Sequence, residues 1–124
     1  MRKPTKKSLT RELDKVCSLI VRKRPCDKCG EVQYDRLQCA HIFSRTYRST
    51  RFDLLNLLCL CQRCHFWGHK NPLLFSEFVF NYLGAFKYHE LKDRHQMICR
   101  RGIDEMLALL NNLKKQLNKD DNLV

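Results

Sequence analysis

The chain has 124 residues, of which 44% are hydrophobic and 30% are charged, so its length and composition are those of one soluble globular domain. No apolar run approaches the roughly 20 residues of a membrane span, and no apolar signal-peptide core follows the basic N-terminus; we therefore expect a cytoplasmic protein without a membrane partner. The formal net charge of +11 predicts a polyanionic partner; nucleic acid is favoured over an anionic membrane surface or an acidic protein.

Residues 1–7 are predicted to form a flexible basic arm, because they carry basic side chains and almost no apolar ones. A single domain is expected over residues 8–117, and the polar tail 118–124 is expected to fray. The first helix is predicted to begin at Ser8, the expected N-cap, and to stop before Pro25. Its apolar face consists of Leu9, Leu13, Val16, Cys17, Ile20 and Val21.

Eight cysteines occur without an export signal, which favours metal binding over disulfides. Two Cys-x-x-Cys pairs stand out, and Gly30 gives the first of them the backbone freedom of a zinc knuckle. Four thiolates are the tetrahedral set that zinc prefers in structural sites. The predicted zinc ligands are Cys26, Cys29, Cys61 and Cys64. Cys17, Cys39 and Cys59 are expected to be buried as small apolar residues.

Two short strands are predicted between the cysteine pairs. The first covers Leu37–Phe43, and Leu54–Leu60 forms the second strand or a turn leading into one. Between them, Arg45, Arg48 and Arg51 suit phosphate contacts, with an ordinary solvated loop as the alternative. A short helix is expected over Gln62–His69.

The C-terminal half is predicted to be helical. Asn71 and Pro72 begin one helix, Gly84 ends it, and its wide apolar face is expected to pack hardest against the rest of the chain. A shorter helical piece follows. After Gly102, apolar residues recur in steps of three and four, which predicts a helix that packs on the body or pairs with a second copy to form a homodimer.

Histidines are grouped around the second cysteine pair. His41 lies between the pairs, and His65 directly follows Cys64, so a metal knuckle would fix its position. His69 lies four residues further along the same helical face, a spacing typical of metal ligands, although two surface histidines would show it too.

Taken together, the stretches IVRKRPCDKCG, CAHIFSR, RFDLLN and CQRCHFWGHKNP resemble the HNH nucleases of the His-Me finger (ββα-metal) group. In chain order, the H, N and H of this motif correspond to His41, Asn56 and His65. The resemblance covers about residues 20–72 and looks closest to phage-type NinG (Rap) recombination nucleases.

This resemblance implies an α+β, mainly α fold. A small ββα-metal core framed by the zinc site would occupy residues 26–70, with an N-terminal helix and a helical extension, 71–117, packed around it. The implied function is a metal-dependent DNA endonuclease for phage or mobile-element DNA processing or recombination. Its location would be the bacterial or phage-infected host cytosol, and its substrate DNA, including branched or junction DNA.

The resemblance also implies roles for single residues. His41 would be the general base, and a catalytic Mg²⁺ or Mn²⁺ would be bound by His65 with Asn56 or His69. Asn56 would otherwise orient His41 by hydrogen bonding. The residues expected to bind DNA are Arg45, Arg48, Arg51 and Lys70. Many members of the group carry a metal ligand where this chain has Ala40; that difference favours the alternative, a non-catalytic zinc-knuckle module that binds DNA.

Overall fold

The helices and strands of the computed structural model, which describes residues 2–121, follow one another in a simple order. They are α1 (Lys6–Val21), β1 (Leu37–His41), β2 (Leu57–Cys61), α2 (Gln62–Lys70), α3 (Pro72–Leu83), α4 (Ala85–Gln96) and α5 (Ile103–Asp121). Short 3₁₀ turns, Tyr34–Arg36 and Leu54–Asn56, precede the two strands. The described chain is therefore mainly helical with one two-stranded antiparallel sheet, as predicted at this level.

Helix α1 begins at Lys6, earlier than predicted, because Thr5 is its N-cap. The Thr5 hydroxyl accepts from the Ser8 backbone N–H at 3.0 Å, and the Ser8 hydroxyl accepts from the Thr5 N–H at 2.9 Å. This reciprocal capping box satisfies two N–H groups that the first turn leaves without helical partners. The prediction of Ser8 as the N-cap is wrong, since Ser8 is the third helical residue. All six residues of the predicted apolar face are buried, which confirms that face.

Helix α5 packs against α1. Met106, Leu110 and Leu113 are buried in the core, and the Lys23 ammonium donates to the Leu117 carbonyl at 2.8 Å. The apolar seam of α5 is thus used within the chain, and pairing of two chains through it stays a prediction. The helix continues to Asp121, past the predicted start of the frayed tail; residues 122–124 of that tail and Met1 of the predicted arm lie outside the described residues.

The sheet sets the position of His41. Leu37 pairs with Cys61 at one end of the hairpin, and His41 pairs with Leu57 at the other. Strand β1 ends at His41, two residues before its predicted end. For Leu54–Leu60, the predicted alternative of a turn leading into a strand is confirmed, because the turn Leu54–Asn56 precedes β2. Strand β2 is buried along its whole length, and α2 follows it without a linker.

Helices α3 and α4 form a hairpin around Gly84. Its φ of 82° lies in the left-handed region that favours glycine. The prediction that the apolar face of α3 packs hardest is wrong: Val79 is the one buried residue of this helix, whereas Leu74 and Tyr82 of the same face are exposed. In residues 2–121, no helix has both the length and the apolar character that crossing a membrane requires.

Candidate metal centre and histidine cleft

The four predicted zinc ligands converge. The sulfur atoms of Cys26, Cys29, Cys61 and Cys64 all lie within 4.8 Å of one another, and Cys29 Sγ is 3.6 Å from Cys61 Sγ. A tetrahedral zinc with Zn–S bonds of about 2.3 Å places its sulfurs about 3.8 Å apart. The cluster can hold a metal ion, and its donor set and dimensions are compatible with structural zinc.

Backbone hydrogen bonds shape the first knuckle. Gly30, with a φ of 80°, donates to the Cys26 carbonyl at 2.9 Å, and Cys26 donates to the Glu31 carbonyl at 2.9 Å. Asp27 ties this turn to β2, because its carboxylate accepts from the Cys59 N–H at 2.8 Å while its own N–H donates to the Cys59 carbonyl at 2.7 Å. The turn therefore brings its two thiols to the end of the strand that carries Cys61.

Asp27 itself is held by Arg24, through two hydrogen bonds of 2.9 Å to its carboxylate. Sequence reasoning did not assign a role to either residue. Their one signal in the sequence is an acidic residue inside a Cys-x-x-Cys turn, three positions after an arginine.

Four other cysteines lie outside the cluster, and Cys99 among them is half-buried. Cys17 and Cys59 are buried, as predicted, and Cys39 is half-buried. Burial raises the pKa of Cys17 to about 12 and those of Cys39 and Cys59 to about 11. These three side chains therefore remain neutral thiols near pH 7, in contrast to the thiolates that bind metals.

His41 lies at the end of β1, and its imidazole Nε2 is 3.2 Å from the Arg51 carbonyl oxygen. A carbonyl can only accept a hydrogen bond, so Nε2 carries the hydrogen and the lone pair of the neutral ring is on Nδ1. Burial lowers the pKa of His41 from its ordinary value of 6.5. At neutral pH the side chain is thus an uncharged base.

The second imidazole of the site, His65, belongs to α2. Its Nδ1 donates to Oε1 of Gln38 at 2.7 Å, which leaves the Nε2 lone pair free. The ring of His69 lies 4.8 Å away, between centroids, and burial lowers the pKa of His65. Gln38 was missed by sequence reasoning, because only the folded hairpin brings it beside α2.

These three histidines line one cleft of about 640 Å³ between β1, α2 and α3. Arg45 and Ala40 lie on the same wall. A smaller cleft of about 330 Å³ continues from His41 and Arg45 along α1. The structure therefore brings His41, His65 and His69 to a single surface that is accessible to a ligand.

Asn56 is not at this surface. Its side chain is fully buried, its Oδ1 accepts from the Phe43 N–H at 2.7 Å, and its Nδ2 donates to the carbonyls of Phe43 and Thr50 at 3.0 and 3.1 Å. The prediction of Asn56 as a ligand of the catalytic ion is therefore wrong, because its amide is already engaged. The Asn56 side chain stabilises the loop that follows β1, and it acts on His41 only through that loop.

The four predicted DNA-binding residues differ in exposure. Arg45 is exposed at the cleft, Arg48 is exposed and donates to the Thr10 hydroxyl at 2.9 Å, and Lys70 lies over the Phe66 ring. Arg51 is different: only 16% of its side chain is exposed, and two of its nitrogens bind the Asp14 carboxylate. Arg51 is therefore a structural residue, and its assignment to DNA binding is corrected.

The cleft offers imidazoles but no carboxylate among the described residues. Ala40 is buried and has no ligand atom. In residues 2–121, the cysteine cluster is the one group of three or more potential metal-binding side chains. Mg²⁺ and Mn²⁺ prefer oxygen ligands, whereas a pair of imidazoles suits zinc or nickel; the residues present thus do not fit the predicted Mg²⁺ or Mn²⁺.

No family model, curated protein or solved structure matches this chain. The function must therefore be argued from the geometry of its own residues.

Proposed function

We propose that this chain is a zinc-stabilised endonuclease that hydrolyses phosphodiester bonds in DNA, and that β1, β2 and α2 form a ββα-metal core. The observation that carries the proposal is the cleft of His41, His65 and His69 in a strongly basic chain. His41 is a neutral base there, and His65 keeps a free Nε2.

The four cysteines would hold a structural zinc. Because four sulfurs close the coordination sphere, this ion would take no part in the reaction. Its role would be to fix the start of α2 against the turn that carries Cys26 and Cys29, and so to hold the helix that presents His65 to the cleft.

In the proposed reaction, Nδ1 of His41 accepts a proton from water, and the water oxygen forms a bond to phosphorus. The bond between phosphorus and the 3′ oxygen breaks, leaving a 3′-hydroxyl after protonation by solvent and a 5′-phosphate. Arg45 would hold the phosphate backbone beside the cleft. A divalent ion bound by His65 and His69, more suitably zinc or nickel than Mg²⁺, would supply Lewis-acid stabilisation of the phosphate when present.

The direct test is cleavage of linear, nicked and branched DNA by the wild type and by His41→Ala, with EDTA or with Mg²⁺, Mn²⁺, Ni²⁺ or Zn²⁺ added. We expect cleavage by the wild type and a loss of at least about 100-fold in His41→Ala. Zinc content and thermal unfolding serve as controls and should match the wild type. Equal cleavage by the two proteins would rule out His41 as the base.

The second candidate is a zinc-knuckle module that binds DNA without cutting it. Ala40 and the lack of a carboxylate in the described lining of the cleft favour it specifically. Salt-sensitive DNA binding combined with no cleavage under any of these ions would select this alternative.

A further inference from the structure

We infer that Asp14, on α1, is a positioning residue for His41: it clamps Arg51, whose backbone carbonyl holds the imidazole in the tautomer that leaves Nδ1 free to accept a proton. Only the predicted effect of Asp14 on kcat rests on the proposed function. Among the described residues, the His41 ring makes one hydrogen bond, from Nε2 to the Arg51 carbonyl at 3.2 Å.

The carbonyl of Arg51 belongs to a turn outside the helices and strands. The Arg51 N–H donates to the Tyr47 carbonyl at 3.1 Å, and side-chain contacts add to this support. Asp14 provides the strongest of them, because its two carboxylate oxygens accept from Nε and Nη2 of Arg51 at 3.1 and 2.7 Å. Such a two-point contact fixes the orientation of the guanidinium as well as its distance. The remaining guanidinium nitrogen, Nη1, donates to the Arg45 carbonyl at 3.2 Å.

Helix α1 is a suitable anchor for this clamp. Thr10, Asp14 and Cys17 lie at helical spacing on one face, and each contacts the segment after β1. The Thr10 hydroxyl accepts from Arg48 at 2.9 Å, and the Cys17 thiol lies 3.9 Å from the Phe52 carbonyl. Because the neighbouring residues of α1 are buried in the core, the face cannot shift without disturbing the whole fold.

The pair is also electrostatically matched. In residues 2–121, Asp14 carries the carboxylate that pairs with Arg51, and its Oδ2 also accepts from Arg45 at 3.2 Å. The charged groups that act on His41 are Arg45, Arg51 and Asp14. Asp14→Asn would therefore weaken the clamp and leave two arginines near the imidazole without a balancing charge.

The test uses the full chain and two independent measurements. Nitrogen-15 spectra of the histidine rings at pH 7.5 report which nitrogen of His41 is protonated, and DNA cleavage gives kcat and KM. We expect wild-type His41 to be protonated at Nε2, and Asp14→Asn to show a mixture of tautomers with kcat reduced about tenfold or more and KM changed less. Asp14→Glu should restore part of both. Glu12→Gln, an exposed substitution on the same helix, is the matched control and should behave as the wild type.

A folded Asp14→Asn protein with the wild-type tautomer and kcat would overturn the inference. If Asp14→Asn does not fold, Arg51→Lys replaces it, because this variant keeps the charge and the carbonyl but loses the two-point contact; the same two results then support or overturn the role of Asp14. If the wild type cleaves no DNA, the proposed function fails, while the tautomer comparison still decides whether Asp14 positions His41.

Discussion

The carbonyl of Arg51 accepts a hydrogen bond from Nε2 of His41, and this contact determines which nitrogen can take a proton. Burial lowers the pKa of the same ring, so that it is neutral under the conditions in which a base must act. Asn56 and Asp14 act one step further away, since both fix the loop that supplies the carbonyl. At the scale of single residues, the site is therefore a histidine with a small set of supporting contacts.

The proposed reaction predicts how DNA cleavage should depend on pH, through the protonation of His41. A protonated imidazole cannot accept a proton, so kcat/KM should fall about tenfold per pH unit below the pKa of His41. Because that pKa is lowered from 6.5, we expect the midpoint of this acid limb below pH 6.5 and a constant rate above it. A pH series measured with one DNA substrate checks this.

Any residual cleavage by His41→Ala is the control, and it should lack the acid limb. A midpoint clearly above pH 6.5 would contradict the assignment of a buried, neutral His41 as the base.

At the scale of elements, the turn that carries Cys26 and Cys29 has little regular structure to hold it. It is attached to β2 through Asp27, and the Lys28 ammonium lies over the Trp67 ring of α2, 4.3 Å from its centroid. A metal ion held by the four thiols would join the turn to α2 more firmly. Metal binding to such a module contributes directly to its folding free energy, on the order of 10 kcal/mol in small zinc domains.

Cys29→Ser should reveal this contribution, because Cys29 is exposed and its thiol makes little contact with the core. We expect the wild type to bind one zinc per chain and the variant to lose it, with a fall in Tm far larger than an exposed substitution causes. Elemental analysis and thermal unfolding measure the two effects.

Cys99→Ser, outside the cluster, is the control and should keep its zinc. Full zinc content and an unchanged Tm in Cys29→Ser would argue against a metal at this cluster.

The α1–α5 contact gives a second prediction at this scale. Leu110 is 5% exposed and lies in the core, so Leu110→Ala should lower the free energy of unfolding by about 2–4 kcal/mol. Urea unfolding measures this change, and Asn111→Ala, on the exposed side of the same helix, is the matched control. A small effect on stability, together with a change from dimer to monomer, would instead mean that the seam joins two chains.

The whole molecule carries a net charge of +11, but its arginines differ in how accessible they are to a DNA phosphate. Arg45 and Arg51 both contact Asp14, but 63% of the Arg45 side chain is exposed beside the cleft, against 16% of the Arg51 side chain. Exposed cations release condensed counterions when they bind phosphates, so they should dominate the salt dependence of DNA binding.

Arg45→Gln should therefore reduce the slope of log K against log salt concentration by about one unit. Arg36→Gln is the matched control, because Arg36 is exposed, is paired with Glu31 and lies near the zinc knuckle, away from the cleft. Fluorescence anisotropy across a salt series measures both slopes. Equal slopes for Arg45→Gln and the wild type would remove Arg45 from the DNA-binding surface.

The sequence by itself determined the helices with strong apolar periodicity, the two-stranded hairpin and the four converging cysteines, because spacing and local propensity fix these features within a short stretch of chain. The tertiary structure alone decided the rest. It buried Asn56 and paired Arg51 with Asp14, 37 positions away along the chain; it also left the apolar α3 mostly exposed and turned α5 towards α1. The physical reason is that burial and ion pairing depend on which distant elements come into contact. The residue pattern of one segment does not show which other segment will pack against it.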